Sequence, residues 1–250
     1  MANLTYRGSH TTRDAPEEEL VIVVTRAVPG DLDAAADVLA EAFLDDPVTS
    51  AIVGGADHDR LARMRHLFVA FLRLAIADGT VDVARRAGDP QVLGAAIWEA
   101  PDASGGLLRL ARQLPSFWRA FGLGGLRRGV GAKAAIDRYR PRRPHWYLQE
   151  IGVAAAARGQ GVGGLLLAAR LADVDAADAP AYLESSTARN RRLYLRHGFA
   201  ETMLLTGVAG EPMAMWRAPR SEREAAARDG ETTTPPGEAG AGRRPSARRV

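Results

Sequence analysis

Residues 145–170, HWYLQEIGVAAAARGQGVGGLLLAAR, join three kinds of sequence end to end. Residues 145–153 are aromatic and β-branched, and Pro141 and Pro144 bound them upstream, which predicts a strand. Four alanines lead into Arg158-Gly159-Gln160-Gly161-Val162-Gly163-Gly164, and the apolar run 165–171 continues as a helix. A strand that delivers a glycine-rich loop to a helix N-terminus builds an anion site. The first helical N–H groups lack intrahelical acceptors, and glycines let a phosphate approach the backbone closely. Arg158 adds a fixed positive charge with a fork of donors suited to phosphate. A glycine-rich connection that only packs tightly is the alternative, and the poor helix propensity of glycine at a helix start weighs against it.

Two ligand patterns fit the loop. Gly159, Gly161 and Gly164 satisfy G-x-G-x-x-G, with Glu184 twenty residues after the last of them at a strand end, which is the dinucleotide fingerprint. That motif normally opens its domain, whereas only two or three strands' worth of chain follow here. Arg158, Gly161 and Gly163 also fit the Q/R-x-x-G-x-G/A pattern that holds the pyrophosphate of coenzyme A.

A chain of 250 residues is one domain, or one with an appendage, and can bury a sizeable core unaided. The absence of cysteine excludes disulfides, thiolate metal sites and an acyl-cysteine intermediate. No run of 18 apolar residues occurs and the first residues are polar, so a cytoplasmic protein without a membrane span is expected. Lys133 is the lone lysine among 33 basic residues, a bias typical of GC-rich bacterial coding sequence. A net charge of +3 is too small to argue for nucleic acid. His58, His66, His145 and His197 show no metal-ligand spacing, so no metal is expected.

Residues 1–19 are polar and read as a disordered leader. Residues 20–25 read as a strand, and Asp31 as the N-cap of a helix through Phe43 that Asp45-Asp46-Pro47 ends. A second helix is expected over 59–77, closed by Asp78-Gly79, followed by strands 80–84 and 91–99 as an antiparallel hairpin. Residues 102–143 form an insertion, helical over 107–121 and 126–138 with a hinge at 122–125. It carries ten Arg or Lys and one Asp between 109 and 143, which suits either a mobile basic lid or a solvated helical excursion. Past the loop helix come a strand at 181–185, a short helix at 187–197 and strands at 199–205 and 211–218. Residues 219–250 read as a disordered tail.

The resulting order, β-α-α-β-β-β-α-β-α-β-β over 20–218, resembles the GNAT acetyltransferase superfamily, and within it the puromycin N-acetyltransferase-like enzymes. The resemblance rests on Ala42-Phe43-Leu44-Asp45-Asp46-Pro47, Trp98, the insertion ending in Arg140-Pro141, and Trp146-Tyr147-Leu148 leading to Ile151-Gly152-Val153. Leu183-Glu184-Ser185-Ser186 through Asn190 and Tyr194 to Gly198-Phe199 complete it. One departure is Ala155, where the family usually carries proline two residues after the strand valine.

The resemblance implies an α/β (α+β) GNAT fold: a mixed, mostly antiparallel seven-stranded sheet flanked by helices, with the insertion between strands 3 and 4. It implies acetyl-CoA as co-substrate and transfer to a small-molecule amine by direct attack, in a monomer or homodimer. The backbone of Ile151, Gly152 and Val153 would pair with the pantetheine arm in a gap between strands 4 and 5. Arg158, Gly159, Gln160, Gly161, Val162, Gly163 and Gly164 would hold the pyrophosphate. Asn190 would bond the pantetheine, and Tyr194, at i+4 on the same helix face, would protonate the departing thiolate. Tyr194 could equally be an amphipathic core residue. Glu150 is the first choice for general base, with Glu99 and Glu184 as rivals. Strand parity leaves the choice open, since family members carry a bulge near the Gly152 position. Asp46, Trp98, Glu99, Phe117 and Trp118 would frame the acceptor, although Asp45 and Asp46 could simply cap and turn the chain. A protein N-terminal or lysine acetyltransferase, a non-catalytic acyl-CoA-binding regulatory module and the dinucleotide enzyme remain the alternatives.

Overall fold

The computed structural model describes residues 21–54, 57–101 and 107–231. The expected leader at 1–19 and the last residues, 232–250, lie outside that range. Seven strands form one sheet: β1 (Ile22–Arg26), β2 (Val81–Arg86), β3 (Gly94–Glu99), β4 (Trp146–Val153), β5 (Ala181–Ser185), β6 (Ala200–Leu204) and β7 (Met213–Arg217). Their order across the sheet is β1-β2-β3-β4-β5-β7-β6. Every neighbouring pair is antiparallel except β4 and β5. This is the mixed, mostly antiparallel arrangement that the family resemblance implies.

The parallel pair is short. Trp146 pairs with Ala181 and Tyr147 with Tyr182, and no further partners follow, so β4 and β5 part beyond Tyr147. From Leu148 to Val153 the β5-facing edge of β4 is therefore unpaired by strand. On its other edge β4 stays bonded to β3, but with one irregularity. Ile97 pairs with Glu150 and Trp98 with Leu148, leaving Gln149 as an extra residue. The bulge thus lies three residues before Gly152, and it changes the face on which each later side chain emerges.

Helices cover both faces. One face carries α1 (Leu32–Ala42), α2 (Pro47–Val53), α3 (Arg60–Ala75) and α4 (Leu107–Asp137). Ala35, Val38, Leu39, Met64, Phe68 and Leu72 keep a helical period and bury that period against Val81, Val83, Ala95 and Ile97. The opposite face carries α5 (Val162–Ala176) and α6 (Ala188–Arg196), whose Leu166, Leu167, Leu171 and Tyr194 pack on Ala96, Trp98, Leu148 and Leu183. A small third cluster joins Tyr182, Leu205, Val208 and Ala214 to Ala135, Ile136 and Tyr139 from the end of the insertion.

Three local expectations change. Asp31 does not cap α1 through its side chain; its carboxylate accepts from the Val28 N–H at 2.8 Å and pairs with Arg85. Asp46 does not simply end a helix but starts α2, accepting from Val48 N at 3.1 Å and Thr49 N at 2.9 Å, with Pro47 at the first helical position. Arg220–Glu231, within the expected disordered tail, is a helix, α7. It is held where the Ser221 hydroxyl donates to Asp178 at 2.6 Å and Arg223 reaches Asp175 at 2.9 Å. The insertion is helical in two pieces as expected, and the break falls at Gly122, whose φ of 59° and ψ of −174° no helix contains.

Two ion pairs lock α5 to the sheet. Arg170, almost fully buried, donates to both oxygens of the buried Asp82 at 2.9 and 3.0 Å. Arg217 does the same to Asp175 at 2.6 and 2.7 Å. Removing one partner of such a pair strands the other charge. The sheet is pinched at β3 and β4. A Cβ on Gly152 would sit 2.8 Å from Ala42 Cβ and 3.0 Å from Leu39 Cδ2, so α1 approaches β4 only because residue 152 is glycine. Gly152→Ala is therefore expected to cost about 1–3 kcal/mol through overpacking. Urea unfolding reads this directly, and an unchanged midpoint would mean that α1 does not rest on β4 as described.

Candidate active site

The bulge at Gln149 decides which groups meet. Residues that pair across strands share a face, so Glu150 lies on the face of Ile97, under α1 and α2. Leu148, only two residues earlier, lies on the opposite face with Trp98. In a regular strand Leu148 and Glu150 would share a face, and Glu150 would point at α5. Tyr147 pairs with Glu99 and with Tyr182, and Glu184 follows Tyr182 at a spacing of two, so all of these share the face of Glu150.

The carboxylates on this face have distinct surroundings. Glu99 is tied down, because Arg140 bonds its two oxygens at 3.0 and 3.2 Å, and the same guanidinium lies 4.2 Å from the centroid of the Tyr147 ring. Glu184 accepts from the Tyr147 hydroxyl at 2.7 Å. Burial pushes its carboxyl above the usual range, against the lowering effect of the Tyr147 and Tyr182 hydroxyls and of Arg140. Among the described residues, no hydrogen bond or ion pair is made by Glu150. Burial raises its carboxyl well above the usual range, and the nearby charges of Asp46 and Glu184 raise it further. Tyr194 lies on the other side of the sheet, 5% exposed and packed against Phe199. Burial raises its phenol, and the charges of Glu150 and Asp46 raise it further.

The glycines leave the backbone of the loop open. Gly159 and Gly161 take φ of 82° and 80°, the left-handed region that favours glycine, and a Cβ on either would meet nothing within 4 Å. Gly161 stands at the N-cap of α5 and offers no side-chain acceptor to the first turn. Gly163 and Gly164 lie against Leu193 and His197 of α6, so loop and helix are packed together. Arg158 is exposed and donates from Nε to Val153 O at 3.4 Å, and Val162 is buried beneath the loop. Gln160 accepts from Arg86 at 3.4 Å, a β2 residue that no loop pattern pointed to. Thr187 caps α6 by accepting from Asn190 N at 3.2 Å, which leaves the Asn190 side chain exposed on the first turn, one turn before Tyr194.

The acceptor residues divide. Asp46 caps α2, and its charge also acts on the Glu150 carboxyl. Trp98 is 1% exposed in the core under α5, so the structure corrects its placement beside an acceptor. Trp118 is 51% exposed on the outer side of α4, while Phe117 beside it packs on Phe71 and Phe121. Neither tryptophan meets Glu150. Tyr182 and Arg140 join the site unannounced. Tyr182 was legible through its spacing of two from Glu184, but no local pattern links Arg140 to Glu99.

The model of the acetyltransferase (GNAT) domain matches residues 117–201. The fold is shared with an acetyltransferase from Corynebacterium glutamicum described as histone acetyltransferase HPA2 and related acetyltransferase. It is 30% identical over 79% of this chain and 96% of that one, with a TM-score of 0.61. This chain belongs to the GNAT acetyltransferases. Among more distant GNAT folds, a putative arylalkylamine N-acetyltransferase 7 of the yellow fever mosquito is 14% identical over 81% of this chain and 89% of its own, with a TM-score of 0.57. An N-acetyltransferase from Staphylococcus aureus is 15% identical over 78% and 98%, with a TM-score of 0.50.

In this GNAT domain the raised carboxyl of Glu150 has a thermodynamic sign. Its folded pKa lies above the unfolded one, so the fold binds its proton more tightly. Stability is then lost as pH rises from the ordinary carboxylate range through the raised value. Asp46→Asn keeps a good N-cap but removes one negative charge, so the Glu150 pKa is expected to fall. Carbon-13 NMR titration of the Glu150 carboxyl measures it, and an unmoved titration would break the proposed contact. Glu150→Gln is expected to unfold later than the native chain at neutral pH and to lose that advantage in acid.

Proposed function

We propose that this GNAT domain is an N-acetyltransferase moving acetyl from acetyl-CoA to the amine of a small molecule by direct attack in a ternary complex. The observation that carries the reading is the parting of β4 and β5 after Tyr147, with Glu150 on one face of the sheet and Tyr194 packed on the other. The unpaired edge at Ile151, Gly152 and Val153 offers backbone groups to the pantetheine amides. Arg158 and the open run Gly159, Gln160, Gly161, Val162, Gly163 and Gly164 suit the pyrophosphate. The single, short parallel pair does not suit a dinucleotide, whose fold needs successive parallel units.

In this mechanism Glu150, as carboxylate, takes a proton from the acceptor ammonium. The freed nitrogen attacks the thioester carbonyl, and a backbone N–H near Val153 faces the developing oxyanion, a contribution of about 2.7–4 kcal/mol per donor. As the tetrahedral intermediate collapses the C–S bond breaks, and the Tyr194 hydroxyl donates its proton to the leaving thiolate. The proton still carried by the attacking nitrogen passes to the Tyr194 phenolate through water, which restores the phenol and leaves a neutral amide. Glu150 returns its proton to solvent. A phenol whose pKa is raised by burial is fully protonated at neutral pH and so has that proton to give. Glu99, held by Arg140, is the poorer base, and Asn190 stands at the gap to bond the pantetheine. Trp118 has no part in this reading unless α4 moves about Gly122. The small-molecule acceptor is favoured over a protein one because α4 packs over α2 and α3 on the acceptor side.

Thiol release from acetyl-CoA with a panel of amines, puromycin and lysine peptides included, tests the reading. Tyr194→Phe is expected to lower kcat at least about tenfold. Glu150→Gln is expected to lower it by about 10²–10⁴-fold and to abolish the rise of kcat with pH. That rise should sit above the ordinary carboxylate range, because the base works only when ionised. Turnover on peptides alone, or a Tyr194→Phe variant of native rate, would overturn the assignment.

A further inference from the structure

Glu184 occupies a different place from Glu150 on the same face. Its Oε2 accepts from Tyr147, whereas its Oε1 is buried and has no hydrogen-bond partner. The Tyr182 side chain is 1% exposed, and its hydroxyl, which interacts with the same carboxylate, also has no partner of good hydrogen-bond geometry. The neighbouring cation, Arg140, is already engaged by both oxygens of Glu99 and by the Tyr147 ring. Buried polar atoms in folded proteins are nearly always paired, and an exception calls for an explanation such as a water, an ion or a functional role. Asp46, Glu150 and Glu184 together leave this face short of positive charge, with Asp137 adding to the field at Glu184. A carboxylate oxygen beside a phenol that can both donate and accept suits an ammonium or guanidinium group.

We propose that Glu184 and Tyr182 bind a second, non-reacting cation of the acceptor, so that the substrate class is a diamine or a guanidino-amine rather than a monoamine. The inference rests on the acetyl-transfer reading of the site. It assigns Glu184 to specificity and leaves proton removal to Glu150. Tyr147 orients the carboxylate, and Arg140, by holding Glu99, keeps Glu99 from competing for the same cation.

The test compares α,ω-diamines of three to five methylenes with n-alkylmonoamines of matching length, acetyl-CoA being the donor. The native protein is expected to favour at least one diamine by about tenfold or more in kcat/KM, since a site built for a donor rejects the analogue lacking it. Glu184→Gln should bring that ratio close to one, the loss falling on KM for the diamine while the rise of kcat with pH persists. Tyr182→Phe should reduce the ratio less. A native ratio near one for every length overturns the proposal while leaving the acetyl-transfer reading intact. A Glu184→Gln variant that loses the rise of kcat with pH also overturns it, by making Glu184 the base. Calorimetric titration of the diamines separates the two readings when no amine is acetylated. Binding that Glu184→Gln abolishes supports the cation subsite and sinks the transfer, and no binding to the native protein sinks both.

Discussion

Between Leu148 and Glu150 the fourth strand carries Gln149 without a partner on β3, and the functional face depends on that extra residue. A strand alternates its side chains between two faces, so one added residue transfers everything beyond it to the opposite side. Here Trp98 and Leu148 stay in the core under α5, while Glu150 crosses to join Tyr147, Tyr182, Glu184 and Asp46. The same strand loses its partner on the other edge after Tyr147. Bulge and parting together give a carboxylate on one side of an opening and a phenol on the other.

That arrangement is expensive for the fold. Glu150 is half-buried, and the charges of Asp46 and Glu184 add to the effect of burial in raising its carboxyl. A structure that held these carboxylates for stability alone would pair them, as it pairs Asp82 with Arg170 and Asp175 with Arg217. The Asp82 and Asp175 pairs fasten α5 and α7 to the far side of the sheet, whereas on the other face Glu99 is paired with Arg140 and the Glu150 side chain makes no ion pair among the described residues. A raised carboxyl without an ion pair is the kind of group that clusters at functional sites.

The rigid parts of the site come from close packing, not from hydrogen bonds between catalytic groups. Gly152 sits under Leu39 and Ala42, and Gly94 sits under Val162 and Leu166, so α1 and α5 press on β3 and β4 from opposite sides. His197 lies 2.9 Å from Leu193 O and 3.2 Å from Gly164 O, binding the end of α6 to the first turn of α5. The phosphate loop, the Tyr194 helix and the bulged strand thereby share one scaffold. Movement of any of them would have to pass through these contacts.

The order of elements, the glycine loop and the pair Asn190 and Tyr194 were legible from the chain, because helix and strand periods and glycine at left-handed positions are local properties. The two-piece helix of the insertion was legible for the same reason, its break falling at Gly122. Residues 220–231 were not, since a polar segment reads alike whether it is solvated or pinned by Asp175 and Asp178 from forty and more positions away. The face taken by Glu150, the burial of Trp98 and the engagement of Glu99 by Arg140 were likewise beyond reach. Each depends on which strand lies alongside which, and at what register. The amino-acid sequence by itself determined the elements and the chemistry they carry; tertiary structure decided which carboxylate faces the opening, because register and burial are set between segments distant in the chain.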